Sequence, residues 1–256
     1  MGTSKRPLPL AEGSRRRRLL SALGALLWSP HLPLAAQAGP LRVVGSADPP
    51  YRSHGPVGAS GLYYDLLKEA AQRMGWTLVF IEVPSARALR MMETGEADLM
   101  MGPLRTPERE RFLSYGQIGL PVEDKVFYTL PGAVPLRSLA DLQGRRIAVQ
   151  RGKRYGGGFD TDMRLQRHEV GDYRAALEMV VRGRVDAAVL PERQGDILLR
   201  KSGLGLVKQP WRLPGEVPYL VIARRSPWLA RQAELEKAFQ AMREDGSWQR
   251  ILQRYR

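Results

Sequence analysis

Thr106-Pro107-Glu108-Arg109, within "GPLRTPERERF" (102–112), is the stretch of this sequence whose residue types best suit an anion. Threonine is a good helix cap, proline fits the first helical position, and the N–H groups of a first turn carry partial positive charge. An arginine placed there makes the local field more positive still. Its planar guanidinium matches the two oxygens of a carboxylate with two parallel hydrogen bonds. Taken alone, the tetrapeptide also reads as a capped surface helix with a solvated arginine. Its setting argues for more. The apolar run "ADLMMG" (97–102) reads as a buried strand, and open α/β sheets hold their ligands at the C-terminal ends of strands.

Few other residues offer chemistry. There is no cysteine, hence no disulfide, thiolate metal site or thiol nucleophile. His54 and His168 lie far apart and show no metal-ligand spacing, which argues against a histidine zinc site or a catalytic triad. The glycines 156–158 in "VQRGKRYGGG" are not followed by G-K-[ST], so a phosphate loop is not supported and no cofactor is expected. The net charge of +14 would suit nucleic acid, an anionic surface or acidic ligands. The basic residues are dispersed, without a dense run interleaved with aromatics, so nucleic acid is not the expected partner.

The N-terminus carries part of that charge. Residues 1–38 combine the basic run "SRRRRLL", a short apolar stretch from Leu19 to Trp28, and Ala36 and Ala38 in a cleavage pattern. This reads as a cleaved signal peptide, with Arg16-Arg17 leaving a twin-arginine route open beside the ordinary one. The leader holds +5 of the +14, which leaves +9 for the remainder. An exported product in the periplasm is expected, crossing to an oxidising compartment without needing bridges.

From residue 41 strand and helix signals alternate, which predicts an α/β fold. "LRVVGSAD" (41–48) is a strand, and "GLYYDLLKEAAQRMG" is a helix with Leu62, Leu66, Leu67, Ala70 and Met74 on one face, stopped by Gly75. "TLVFIEV" (77–83) is a second strand, followed by a helix that Ser85 would cap. After "EDKVFYTLPGAVP" the pattern restarts. "IAVQRG" (147–152) and "VDAAVLP" (185–191) are strands around a helix with Tyr173, Ala176, Leu177, Val180 and Val181 on one face, and "PYLVIARRS" precedes a helical C-terminus. Pro/Gly-rich joints at "TLPGAVP" and "WRLPGEVP" are candidate hinges between two lobes, and the cleft between such lobes is a preferred place for a small-molecule site.

In order along the chain, "ADPPY", "GLYYDLLKEAAQRMG", "METGEADLMMG", "TPERERF", "SLADLQGRRIAVQRG", "RGRVDAAVL" and "REDGSWQRILQRY" resemble the bacterial periplasmic solute-binding proteins of family 3, the amino-acid-binding components of ABC transporters. The resemblance spans about residues 41–256. It implies a two-lobed periplasmic-binding-protein fold of type II with two crossover hinge strands. Lobe 1 would comprise 41–131 plus 222–256, and lobe 2 would comprise 132–221. It also implies a small carboxylate-bearing ligand, a membrane ABC permease as partner, and a monomer that is not an enzyme.

The same resemblance assigns roles. Arg109 would grip the ligand carboxylate, with Thr106 holding the turn. Tyr51 would form an aromatic wall, or else pack within its Pro-rich loop. Gly152 would let the lobe 2 backbone approach. Lys153 stands where the family commonly has threonine; with Arg154 it adds positive charge if it turns into the cleft, and is a solvated loop residue if it does not. Ser85 replaces a common aromatic and Leu104 a common hydroxyl residue. Pro191 occupies the place of an aspartate that holds the ligand's ammonium. Glu192 is the adjacent candidate, although a one-residue shift at a strand end normally turns a side chain elsewhere. The pocket thus keeps an anion hook and departs from the family at its ammonium hook. Two other functions on this fold stay open, a periplasmic dehydratase of prephenate-like acids and a sensory solute-binding protein. The dehydratase needs a general acid where this chain has Gln194.

Overall fold

The computed structural model describes residues 1–2 and 39–255. The signal-peptide reading of residues 1–38 falls almost entirely outside the described residues. From residue 39 the elements follow in the order β1 (Leu41–Gly45), β2 (Ser53–Gly55), β3 (Gly58–Ser60), α1 (Leu62–Met74), β4 (Leu78–Glu82), α2 (Ser85–Thr94), β5 (Leu99–Leu104), α3 (Pro107–Glu110) and β6 (Leu113–Gly119). They continue with β7 (Lys125–Thr129), β8 (Arg146–Gln150), β9 (Gln166–Val170), α4 (Tyr173–Val181), β10 (Ala187–Pro191), α5 (Glu192–Ser202), β11 (Val207–Leu213), β12 (Pro218–Ala223), α6 (Gln232–Glu244) and α7 (Ser247–Gln253).

These build an α/β fold of two mixed five-stranded sheets, one per lobe. The strand orders are β4-β1-β5-β12-β6 and β11-β7-β10-β8-β9. In both, a core of parallel strands is extended by antiparallel ones. The first sheet is covered on one face by α1, α6 and α7, whose Leu66, Leu67, Leu235, Phe239 and Trp248 join one core. Its other face packs Ala88 and Met92 of α2. The second sheet packs Tyr173, Ala176, Leu177 and Val180 of α4.

The helical stripes lie where the 3.6-residue spacing puts them, with two exceptions at helix ends. Met74 is only half-buried and Val181 is exposed, because both sit in the last turn, where the helix leaves its sheet. Gly75 closes α1 in the left-handed region at φ 65°, a conformation that costs glycine nothing.

Hydrogen bonding moves both lobe boundaries from the positions 131/132 and 221/222. β7 pairs with β10 and β11, so it belongs to the second sheet. β12 pairs with β5 and β6, so it belongs to the first. The chain therefore crosses at 120–124 and returns at 214–217. "WRLPGEVP" does contain the return joint. "TLPGAVP" lies wholly inside the second lobe, as a turn after β7. Proline and glycine mark turns of any kind, and only strand partnership decides which turn joins two lobes. β6 and β9 have no place in the expected pattern. β9 is a polar edge strand whose burial alternates weakly, and β6 is half-buried with two glycines.

Candidate functional site

The C-terminal ends of the parallel strands in both sheets face each other across the cleft. β5 delivers the Arg109 turn. Thr106 caps α3 by accepting the Arg109 backbone N–H at 3.3 Å, with Pro107 in the first turn. α3 itself is only four residues long. The Arg109 guanidinium is buried at 5% exposure. It donates to the Leu104 carbonyl at 3.1 Å and, across the cleft, to the Gly152 carbonyl at 3.0 Å. None of the ion pairs among the described residues includes it. Burial, reinforced by the nearby Arg154 charge, pulls its pKa below the usual arginine value. A buried guanidinium bonded only to carbonyls is poised for an anion.

Beyond β1, Ser46 and Asp48 form a second centre. Asp48 is 3% exposed. Its Oδ2 accepts from Ser46 Oγ at 2.7 Å, from Lys153 Nζ at 2.6 Å and from the Arg52 guanidinium. Its Oδ1 accepts from Gln194 Nε2 at 3.3 Å. Burial alone would raise the Asp48 pKa. The Lys153 and Arg52 charges and these hydrogen bonds override it and hold the carboxyl well below the usual range. Arg52 is itself buried and also donates to the Ser46 and Met101 carbonyls. Lys153 therefore turns inward and reaches from the second lobe to the first. Burial, helped by the Arg52 and Arg109 charges, lowers its pKa to about 8 against the pull of Asp48.

Gly152 lies against the start of α2, backbone to backbone. It adopts φ +80°, and a Cβ there would lie 2.7 Å from the Ala86 nitrogen and 3.0 Å from the Ser85 carbonyl carbon. Only glycine permits that approach. Ser85 is the first residue of α2 and does not cap it; Pro84 holds the cap position. The Ser85 hydroxyl instead meets Ser46 Oγ at 2.7 Å, extending the hydrogen-bond chain to Asp48.

Of the expected residues, the structure brings Arg109, Leu104, Gly152 and Lys153 around one small pocket, together with Arg52, Arg154 and Leu89. Thr106 supports this group from behind, and Ser85 from the Asp48 side. Tyr51 is placed elsewhere. Its ring packs 4.9 Å from Tyr63 in the lobe 1 core, and its hydroxyl donates to Glu123 of the first crossover. Glu192 also leaves the cleft, pairing with Lys208 at 3.0 Å and with Arg212. Pro191 ends β10 opposite Lys125 of β7, and the next side chain turns to the outer edge. Asp48, Arg52 and Ser46 are members that residue types did not reveal. An aspartate three positions past a strand end, with an arginine at i+4, was the available signal.

An arginine-rich groove of about 670 Å³ leads to Arg109 from outside, with Arg90, Arg111, Arg154 and Arg225 set against Glu93 and Glu108. Among the described residues no group of acids and histidines could hold a metal ion, and no helix is long and apolar enough to cross a membrane.

Several solved structures share this architecture. An ancestral arginine-binding protein bound to arginine superposes with TM-score 0.74 at 21% identity, covering 85% of this chain and 98% of that one. The arginine-, lysine-, histidine-binding protein ArtJ from Geobacillus stearothermophilus gives 0.72 at 16%, covering 84% and 94%. A histidine kinase sensor domain with similarity to periplasmic binding proteins gives 0.71 at 20%, covering 85% and 96%. No curated protein matches the sequence significantly. The family model described as bacterial extracellular solute-binding proteins, family 3, matches residues 41–256, and the chain belongs to that family.

Proposed function

We propose that this protein is the exported, periplasmic receptor of an ABC transporter and captures a small carboxylate-bearing solute between its lobes. One observation carries the reading: the Arg109 guanidinium is buried in the cleft with backbone carbonyls but no carboxylate as partners. A solute carboxylate would supply the missing charge and two hydrogen bonds in fork geometry. Hinge motion at 120–124 and 214–217 would let the lobes close over it, the solute favouring the closed form by its preference for that form. A membrane permease would then receive the loaded protein. The similarity to amino-acid-binding structures supports this class of solute.

Catalysis is the weaker reading. The dehydratase alternative needs an acid where Gln194 stands, buried and donating its amide to Asp48, and an amide holds no transferable proton near neutral pH. The sensor-domain likeness leaves signalling as a use of the same binding event.

The test is a thermal-shift panel of amino acids, mono- and dicarboxylates and a prephenate-like acid, on protein refolded to remove carried-over solute. A ligand at a hundredfold over its dissociation constant adds about 2.7 kcal/mol, a rise of roughly 5–10 °C for a chain of this size. Arg109→Ala should then weaken binding on the order of a hundredfold or more in calorimetry, as expected for truncating one partner of a buried charge pair. Unchanged affinity would refute the site.

A further inference from the structure

The cleft holds three buried or largely buried cations, Arg52, Arg109 and Lys153, against one carboxylate, Asp48. Its charge is already met by two cations: Oδ2 takes bonds from Ser46, Arg52 and Lys153, and Oδ1 takes one from Gln194 at 3.3 Å. Three other acids near the cleft are engaged as well. Glu123 accepts from Tyr51 and the Arg193 backbone, Asp172 caps α4 through Ala175, and Glu108 pairs with Arg154 at 3.4 Å. Pro191 at the end of β10 has no acid to offer.

A zwitterionic amino acid would bring an ammonium into this surplus of positive charge, where the buried carboxylate already faces two cations. Its own net charge of zero would leave the surplus uncorrected. Lys153, in contrast, uses one of its three N–H donors on Asp48, with no second acceptor among the described residues. Arg109 and Lys153 both line the small pocket, whose remaining wall includes Leu89, Met100 and Leu104; its volume is about 30 Å³, so a solute enters it only as the hinge motion proposed above widens it. The outer groove leading to Arg109 carries five arginines against two glutamates, a field that draws in anions.

We propose that the solute is a compact dianion without an ammonium group, such as a short dicarboxylate, with one anionic end on Arg109 and the other on the Lys153 ammonium. This rests on the carboxylate-receptor reading above and specifies its ligand class. Lys153 meets Asp48 Oδ2 at 2.6 Å, so the protein carries its own cation beside that carboxylate.

Matched pairs test it in the intact protein. Succinate and L-aspartate, or glutarate and L-glutamate, differ only by the ammonium. By calorimetry the dicarboxylate of a pair should bind at least tenfold more tightly than its amino acid. Lys153→Met should cut dicarboxylate affinity at least tenfold while leaving the weak binding of propionate within about twofold. Lys153→Arg keeps the charge and should restore most of the loss, which separates a ligand contact from a folding defect. Tighter binding of L-aspartate, L-glutamate or a neutral amino acid would overturn the dianion proposal and leave the carboxylate reading standing. Selective binding of inorganic phosphate would support a dianion and overturn the carboxylate reading. No binding of any of these anions, with Arg109→Ala indistinguishable from wild type, would sink both.

Discussion

The two lobes agree where their strands begin and differ where they end. At the start of β1, Arg42 donates its backbone N–H to Asp98 Oδ2 at 2.9 Å, its side chain to both Asp98 oxygens, and Nη2 to the Gly95 carbonyl. At the start of β8, Arg146 makes the same set of bonds to Asp186 and the Gly183 carbonyl. The sequences behind these clamps are "GEAD" (95–98) and "GRVD" (183–186), each just before a parallel strand that pairs with the clamped one. At the opposite ends the correspondence stops. Lobe 1 supplies Asp48, Arg52 and Arg109, whereas lobe 2 supplies Gly152, Lys153 and Gln194. One end of each sheet carries a structural clamp, and the other lines the cleft where binding is proposed. The two kinds of Arg–Asp pairing should therefore respond differently to mutation and to pH.

The largest effect on stability is expected at Asp98. It is 1% exposed and also accepts from Ser226 Oγ at 2.7 Å. Asp98→Ala strips partners from the Arg42 backbone, the Arg42 guanidinium and Ser226 together. Because Arg42 itself is 40% exposed, water recovers part of the loss, and a cost of about 3 kcal/mol is expected. A chemical-denaturation series would read it as a lower midpoint at unchanged slope. The Asp98 pKa is lowered: burial pushes it up, but the Arg42 and Ser226 bonds outweigh burial. Its contribution is therefore present above the unfolded value near 3.8 and is lost as pH falls through the lower folded value.

The cleft should titrate at the other end of the scale. Lys153, at about 8, faces Asp48, Arg52 and Arg109. A dianion that uses its charge binds fully only about a unit or more below pH 8 and up to about tenfold more weakly at pH 9. Arg109 stays charged throughout, so a monocarboxylate should show little change over the same range. Stability moves the other way. Between pH 8 and 10.5 the unfolded chain keeps the lysine proton that the folded chain has lost, so this group favours folding more as pH rises. Calorimetry at pH 7 and 9 on succinate and propionate separates the two ligands; parallel behaviour would mean that Lys153 does not meet the second carboxylate.

Much of the fold was legible because period and order are local properties. The βαβ alternation, the stripes of α1, α4 and α6, and the arginine turn after β5 all stand in the sequence as patterns. The site was legible only in part, since a cleft is made by contacts distant in sequence. Asp48 and Lys153 are separated by 105 positions, and no local pattern says that one reaches the other. Tyr51 shows the converse case: an aromatic in a Pro-rich loop reads equally as a cleft wall or as packing, and the Tyr63 ring and Glu123 favour packing. Glu192 was one residue from the cleft, and strand geometry turned it to Lys208 and Arg212.

Asp186 should show the smallest effect and sharpens the comparison most. It repeats the Asp98 clamp bond for bond, but its side chain is 39% exposed, the Arg146 side chain is 42% exposed, and no serine completes the set. Its pKa is lowered chiefly by the Arg146 hydrogen bond. Exposed pairs of this kind contribute about 1 kcal/mol or less, because water solvates both partners once they separate and salt screens them while they are joined. Asp186→Ala should therefore destabilise by about 1 kcal/mol in dilute buffer, much of it from the lost acceptor of the Arg146 backbone N–H, and by less in half-molar salt. The cost of Asp98→Ala should change little with salt. Equal costs at the two sites would mean that the shared hydrogen-bond pattern sets the energy and that burial adds nothing. A threefold gap that widens with salt is what burial predicts.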